Sequence, residues 1–126
     1  MLAVDTNVIV RYLTNDDPHQ SSRARKLVEE SQVWVATTVL LETEWVLRSR
    51  YTLQKPEIMA TISALLDATE LRFEDEAAIE EALFIWKDTS ADFADCLIGA
   101  RNRRLGCRAT ATFDAKAVEL PGFVAV

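Results

Sequence analysis

The chain has 126 residues, 49% of them hydrophobic and 27% charged, with a formal net charge of −6. That length suits one domain over 1–126 with a single core, and the composition excludes a disordered tail or linker and a membrane span. The negative balance sets a further bound, because phosphate binding draws on positive surface and nucleic-acid chemistry here has to rely on local basic clusters.

In chain order, Leu2-Ala3-Val4 is a short apolar run that meets an acid, Asp5, with no basic segment before it, so a strand is expected rather than a secretory signal. Asp5-Thr6-Asn7 supplies capping residues for a helix carrying Val8, Ile9, Val10 and Leu13. Asn15-Asp16-Asp17-Pro18 predicts a turn, with Pro18 in the first helical position of a polar helix that runs to about Glu30. Val33 to Ala36 reads as the second strand. Thr37-Thr38 is expected to cap an apolar helix from Val39 to about Arg50. Lys55-Pro56-Glu57 starts another, with Ile58, Ile62, Leu65 and Leu66 at helical spacing.

A third strand fits between Thr69 and Phe73, and a helix follows from Asp75 to Lys87 with Ala78, Ile79, Ala82, Leu83 and Trp86 turned inward. The next helix spans Ser90 to Leu105 and ends at Gly106. Cys107 to Thr112 is expected as the fourth strand, and Phe123 to Val126 as a short edge strand. Cys96 and Cys107 are spaced for neither a C-x-x-C redox pair nor a zinc knuckle, and both read as small apolar groups in a reducing cytoplasm. Strands alternating with helices give an α/β fold with a mostly parallel sheet, whose crevice lies beyond the carboxyl ends of its strands. With 3 glycines and no G-x-G-x-x-G or P-loop, a nucleotide cofactor is not expected.

Four acids interrupt apolar stretches: Asp5 after Leu-Ala-Val, Glu42 within Val-Leu-Leu-Glu-Thr-Glu-Trp-Val-Leu, Asp95 within Phe-Ala-Asp-Cys-Leu-Ile-Gly-Ala, and Asp114 after Ala-Thr-Phe. An unpaired buried carboxylate is costly, so each needs a partner. Asp5 and Asp114 end predicted strands, where a parallel sheet places its active site. Val39, Trp45 and Val46 put Glu42 on the apolar side of its helix, with Glu44 pointing elsewhere. If these acids share one volume, a cation neutralises them, and Mg2+ or Mn2+ suits an all-oxygen site that activates water against a phosphodiester. Asp92 stands three residues before Asp95, as a further ligand or as a helix-start residue. Thr6, Asn7 and Thr112 flank the acids with hydroxyl or amide groups that would support them.

Each acid also has a plain structural reading. Asp5 would cap the helix after it, Asp114 would begin a turn, and Asp95 would pair with Arg101 or Arg104. The basic residues fall into clusters at Arg23, Arg25 and Lys26, at Arg48 and Arg50, and at Arg101, Arg103, Arg104 and Arg108; these are solvated faces as readily as RNA contacts, and no RNA-binding residue is assigned. The single histidine, His19, sits beside Pro18 on a polar helix. Cleavage of RNA without a metal usually needs two groups titrating near neutrality, so metal-activated water is the route left.

Val-Asp5-Thr6-Asn7-Val, Glu42 followed by Trp-Val-Leu, Asp92-Phe-Ala-Asp95-Cys-Leu-Ile-Gly-Ala, and Ala-Thr112-Phe113-Asp114 followed by Leu-Pro-Gly together resemble the PIN-domain ribonucleases, in particular the VapC-type toxins of bacterial toxin–antitoxin pairs. The resemblance implies a three-layer α/β/α sandwich around a central, mostly parallel sheet of four to five strands. It also implies an endoribonuclease using Mg2+ or Mn2+, a homodimer, and inhibition by an antitoxin that reaches the acidic pocket with an arginine. The family's acidic positions fall on Asp5, Glu42, Asp95 and Asp114, less consistently on Asp92, and its supporting polar positions on Asn7 and Thr112. Two other readings stand beside it: a metal-dependent phosphatase, and a non-catalytic α/β module that binds RNA or protein. Asn7, where phosphatases of the haloacid dehalogenase type carry a second acid, weighs against the first.

Overall fold

The computed structural model describes residues 1–126, which divide into two compact units, Met1–Glu74 and Asp75–Val126. In the first unit the order is β1 (Leu2–Ala3), α1 (Thr6–Leu13), α2 (Pro18–Glu30), β2 (Val33–Val35), α3 (Thr37–Ser49), α4 (Lys55–Asp67) and β3 (Leu71–Phe73). The strands form one parallel sheet in the order β1-β2-β3, with Leu2 opposite Val33 and Val33 opposite Leu71. Parallel pairing requires a crossover between successive strands, which two helices supply each time. Ile58, Ile62 and Leu65 recur along one stripe of α4 and are buried, as are Val28 of α2, Val33 and Val35 of β2, and Leu40 and Leu47 of α3. Burying each of these large side chains contributes roughly 1.5–3 kcal/mol.

Local capping fixes where most of these helices begin. Asp5 accepts a hydrogen bond from the Val8 amide at 3.2 Å, and Asp17 from the Gln20 amide at 3.1 Å just before Pro18. At α4, Glu57 accepts from the Gln54 amide at 2.9 Å. Helix α3 departs from expectation. Its N-cap is Ala36, with no side-chain cap bond, and the Thr37 amide instead donates to Glu74 Oε1 at 2.9 Å. A carboxylate from the end of β3 thus replaces the threonine cap expected from the local sequence.

The second unit holds α5 (Glu76–Trp86), α6 (Phe93–Arg104), β4 (Thr110–Thr112), a 3-10 turn at Ala117–Glu119, and β5 (Phe123–Ala125). Strands β4 and β5 pair in parallel, Thr110 opposite Phe123. All strand pairing is therefore parallel, as expected, and hydrogen bonding joins the five strands as ladders of three and two. Strand β4 is shorter than the expected Cys107 to Thr112. Gly106, at φ +88°, turns the chain out of α6, and the Cys107 amide donates back to the Asn102 carbonyl at 2.9 Å. Helices α5 and α6 pack through Ala78, Ile79, Ala82, Leu83 and Trp86 against Phe93, Cys96, Leu97 and Ala100, with the Trp86 and Phe93 rings 5.1 Å apart. A Cβ on Gly99 would lie 2.5 Å from Phe123, so glycine lets β5 close onto α6. No helix is long and apolar enough to cross a membrane.

Candidate active site

In the first unit a cavity of about 460 Å³ opens where α1 begins, lined by Asp5, Thr6 and Asn7 on one side and by Glu42, Trp45 and Arg50 of α3 and its C-terminal cap on the other. Asp5 and Glu42, 37 residues apart in sequence, thus share one pocket. The Asp5 carboxylate is part of the α1 cap through Oδ1, which fixes its direction and leaves its second oxygen to the pocket. A second groove, of about 700 Å³ between α1 and α2, shares Asp5 and Asn7 and carries Arg23 and Lys26.

Glu42 does not lie on the buried face of α3, where its apolar neighbours predicted it. Leu40, Thr43, Glu44 and Leu47 form the buried stripe of α3, while Glu42 and Trp45 lie on its exposed side. Glu44 is the buried acid, 2% exposed, and accepts from Arg48 Nε at 2.9 Å. The spacing of 40, 43, 44 and 47 is the usual helical one, and the large apolar Trp45 suggested the wrong face. Glu42 keeps its place among the candidates because it lines the cavity beside Asp5.

In the second unit Asp95 feels the charge of two other acids. Asp92 is the N-cap residue of α6 by backbone position, yet its side chain makes no cap hydrogen bond. Asp95 lies in the first turn of α6, half-buried. Burial, with the charges of Asp92 and Asp114 close by, pushes its carboxyl above the usual carboxylate range. The expected pairing of Asp95 with Arg101 or Arg104 is not formed. Arg104 donates to Asp75 at 2.8 Å, and Arg101 lies 3.6 Å from the same carboxylate. Asp114 does begin a turn: its Oδ1 accepts from the amides of Lys116 and Ala117, each at 2.8 Å, and Thr112 Oγ accepts from the Asp114 amide at 3.0 Å.

The arginine clusters divide in the same way. Arg103 is tied to Glu81 at 2.7 Å and Arg25 to the Thr14 carbonyl at 2.9 Å, so these two serve the fold. Trp45 and Arg50, which line the cavity, were missed as site residues in the sequence; their signal is spacing, since 42, 45, 46, 49 and 50 fall on one helical face.

No three of the chain's His, Cys, Asp and Glu side chains are grouped closely enough to form a metal cage. Magnesium does not require one, since it is usually held by one or two carboxylates together with substrate phosphate and water. The repulsion that Asp92 and Asp114 exert on Asp95 is what a divalent cation would relieve, and the all-oxygen chemistry of these carboxylates fits a hard ion. The sequence profile of the PIN domain matches residues 2–122. The chain belongs to the PIN domain family. PIN domains are generally metal-dependent nucleases that act on RNA, usually with Mg2+ or Mn2+, and the α/β architecture with parallel strands agrees with that membership. No curated protein sequence matches this PIN domain chain.

Proposed function

We propose that this PIN domain protein is an endoribonuclease and the toxin of a VapC-type toxin–antitoxin pair, a single PIN-like domain over 1–126 with an α/β/α sandwich, acting in the cytoplasm as a homodimer. The observation that carries the nuclease reading is a set of carboxylates kept away from the chain's own cations. Asp92 and Asp95 form no ion pair, although α6 carries three arginines in its last turn. Leaving like charges together costs stability, and a site that binds a cation explains the arrangement.

In this reading Asp5, Asp92, Asp95 and Asp114 hold Mg2+ or Mn2+, and Asp5, Glu42, Asp95 and Asp114 serve one hydrolysis. The ion, when bound, supplies an activated water and offsets charge on the phosphate. The chain's own residues do the rest. The Val8 amide fixes Asp5, and the turn amides of Lys116 and Ala117 fix Asp114, so neither carboxylate has to be ordered when substrate arrives. Thr6, Asn7 and Thr112 hold the flanking backbone and polar surface in support. Glu42, exposed in the cavity beside Asp5, accepts the proton that the attacking water gives up. An antitoxin arginine entering this acidic surface would compete with the ion for the same charge.

The test uses the purified full chain and a labelled RNA. Cleavage is expected with Mg2+ or Mn2+ and none with a chelator. Asp5→Asn and Asp95→Asn each lower the rate by at least about 100-fold with unchanged circular dichroism. Cleavage at the wild-type rate in either variant overturns the reading. The toxin assignment adds that expression arrests growth, and that a small protein encoded immediately upstream relieves the arrest.

A further inference from the structure

The cavity beside Asp5 contains more than acids. Trp45 is 54% exposed, the largest aromatic surface that α3 presents, and it stands on the same helical face as Glu42. At 1.5 Å per residue, Trp45 follows Glu42 by about 4–5 Å along the axis and Arg50 lies about 7–8 Å further on. Arg50 forms no ion pair, while its neighbour Arg48 is bonded to Glu44. The exposed indole and the uncommitted guanidinium line one pocket of about 460 Å³, a volume in the range of small-ligand sites.

We infer that this cavity is a nucleotide subsite, in which the Trp45 indole stacks on one unpaired base of the substrate and the Arg50 guanidinium contacts a phosphate adjacent to the bond being cut. The inference rests on the nuclease reading of Asp5 and Glu42 and deepens it. A planar aromatic face receives any base but only an unstacked one, so the subsite selects for an unpaired nucleotide, in a single strand or a loop, over a continuous duplex. Arg50 is the cation that lines this cavity, in a chain of net charge −6 where phosphate depends on local positive charge. The division of labour is specific. Trp45 sets which nucleotide enters, Arg50 sets the position of its phosphate, and neither takes part in the proton transfer.

The experiment measures equilibrium binding of a fluorescein-labelled 12-nucleotide single-stranded RNA to the full chain in chelator, by anisotropy, with the same strand annealed to its complement as comparison. Wild type is expected to prefer the single strand. Trp45→Ala weakens that binding by about 5-fold or more, while Trp45→Phe restores most of it. Arg50→Gln weakens binding and flattens its salt dependence by about one phosphate contact. Phe84→Ala, at an aromatic 78% exposed on α5, leaves binding unchanged. In the cleavage assay Trp45→Ala raises KM more than it lowers kcat. The inference is overturned if Trp45→Ala binds and cleaves like wild type, if Trp45→Phe fails to restore binding in a folded protein, or if duplex binds as well as the single strand. Loss of the nuclease reading looks different: cleavage then survives Asp5→Asn, whatever Trp45 does.

Discussion

In residues 1–74 the acids Asp5 and Glu42 line a cavity that also holds an aromatic ring and a cation, whereas in residues 75–126 the charges of Asp92 and Asp114 bear on Asp95 and the arginines of α6 turn to Asp75 and Glu81. The first arrangement has shape and mixed chemistry, suited to recognising a substrate. The second has concentrated negative charge, suited to a cation. In the same unit, Asp75 caps α5 through the Ala78 amide and also receives Arg104, whereas Asp5 and Asp114 accept from backbone amides alone and none of Asp5, Asp92, Asp95 and Asp114 pairs with a cation of the chain. Pairing with one of the chain's own arginines, more than burial, separates Glu44, Asp75 and Glu81 from the candidate functional carboxylates here.

The largest break in this comparison is expected within α3. Glu42→Gln lowers cleavage by about 100-fold and changes stability by less than about 0.5 kcal/mol, because no partner is lost. Arg48→Ala does the opposite, leaving the Glu44 carboxylate buried and costing about 2 kcal/mol in chemical denaturation, less than for a wholly buried pair because Arg48 is half exposed. Activity measured below the melting transition stays near wild type. Equal effects of the two substitutions on both readouts would erase the distinction.

A smaller effect separates Asp5 from Asp95. Asp5→Ala removes the α1 cap and costs about 1 kcal/mol. Asp95→Asn is expected to raise the melting temperature of the metal-free protein at neutral pH. The raised carboxyl binds its proton more tightly in the folded chain than in the unfolded one, so stability falls as pH rises through the folded value, and above it the ionised group is a cost. The amide removes that cost. Its advantage therefore disappears as pH is lowered below the ordinary carboxylate range, and added Mg2+ stabilises wild type but not the variant.

The smallest expected effect lies at Asp16, which the Tyr51 hydroxyl, 2.7 Å away, holds below the usual carboxylate range with help from Thr14 and Arg11. Tyr51→Phe raises the Asp16 pKa, read by NMR titration. A lowered carboxyl contributes stability above its unfolded value and loses it as pH falls through the folded one. Because Asp16 is exposed, the melting curve should barely move.

Much of the fold was legible in the sequence wherever a helix carries its own punctuation. Asp17-Pro18 and Lys55-Pro56-Glu57 are start signals read within a few residues, and α2 and α4 begin there. Asp5 as both cap and candidate acid was equally local. What escaped was decided by distant partners. Asp75, from the start of α5, claimed the arginines assigned to Asp95, and Trp45 disguised the exposed face of α3 because a large apolar ring looks like core until its neighbours are known. The division of strands into ladders of three and two depends on pairing across dozens of residues, which periodicity does not encode.

The Glu74 carboxylate on the Thr37 amide closes a loop between residues 37 apart in sequence. Such a contact forms only after the intervening chain has been brought back, and loop closure of that length is slow compared with helix growth. The first turn of α3 is therefore pinned late, when β3 joins β2. A nascent chain that has emerged only through α4 lacks this anchor, so the wall that presents Glu42, Trp45 and Arg50 takes its final position only when the sheet of the first unit is complete. This timing delays completion of the cavity until synthesis has passed Glu74.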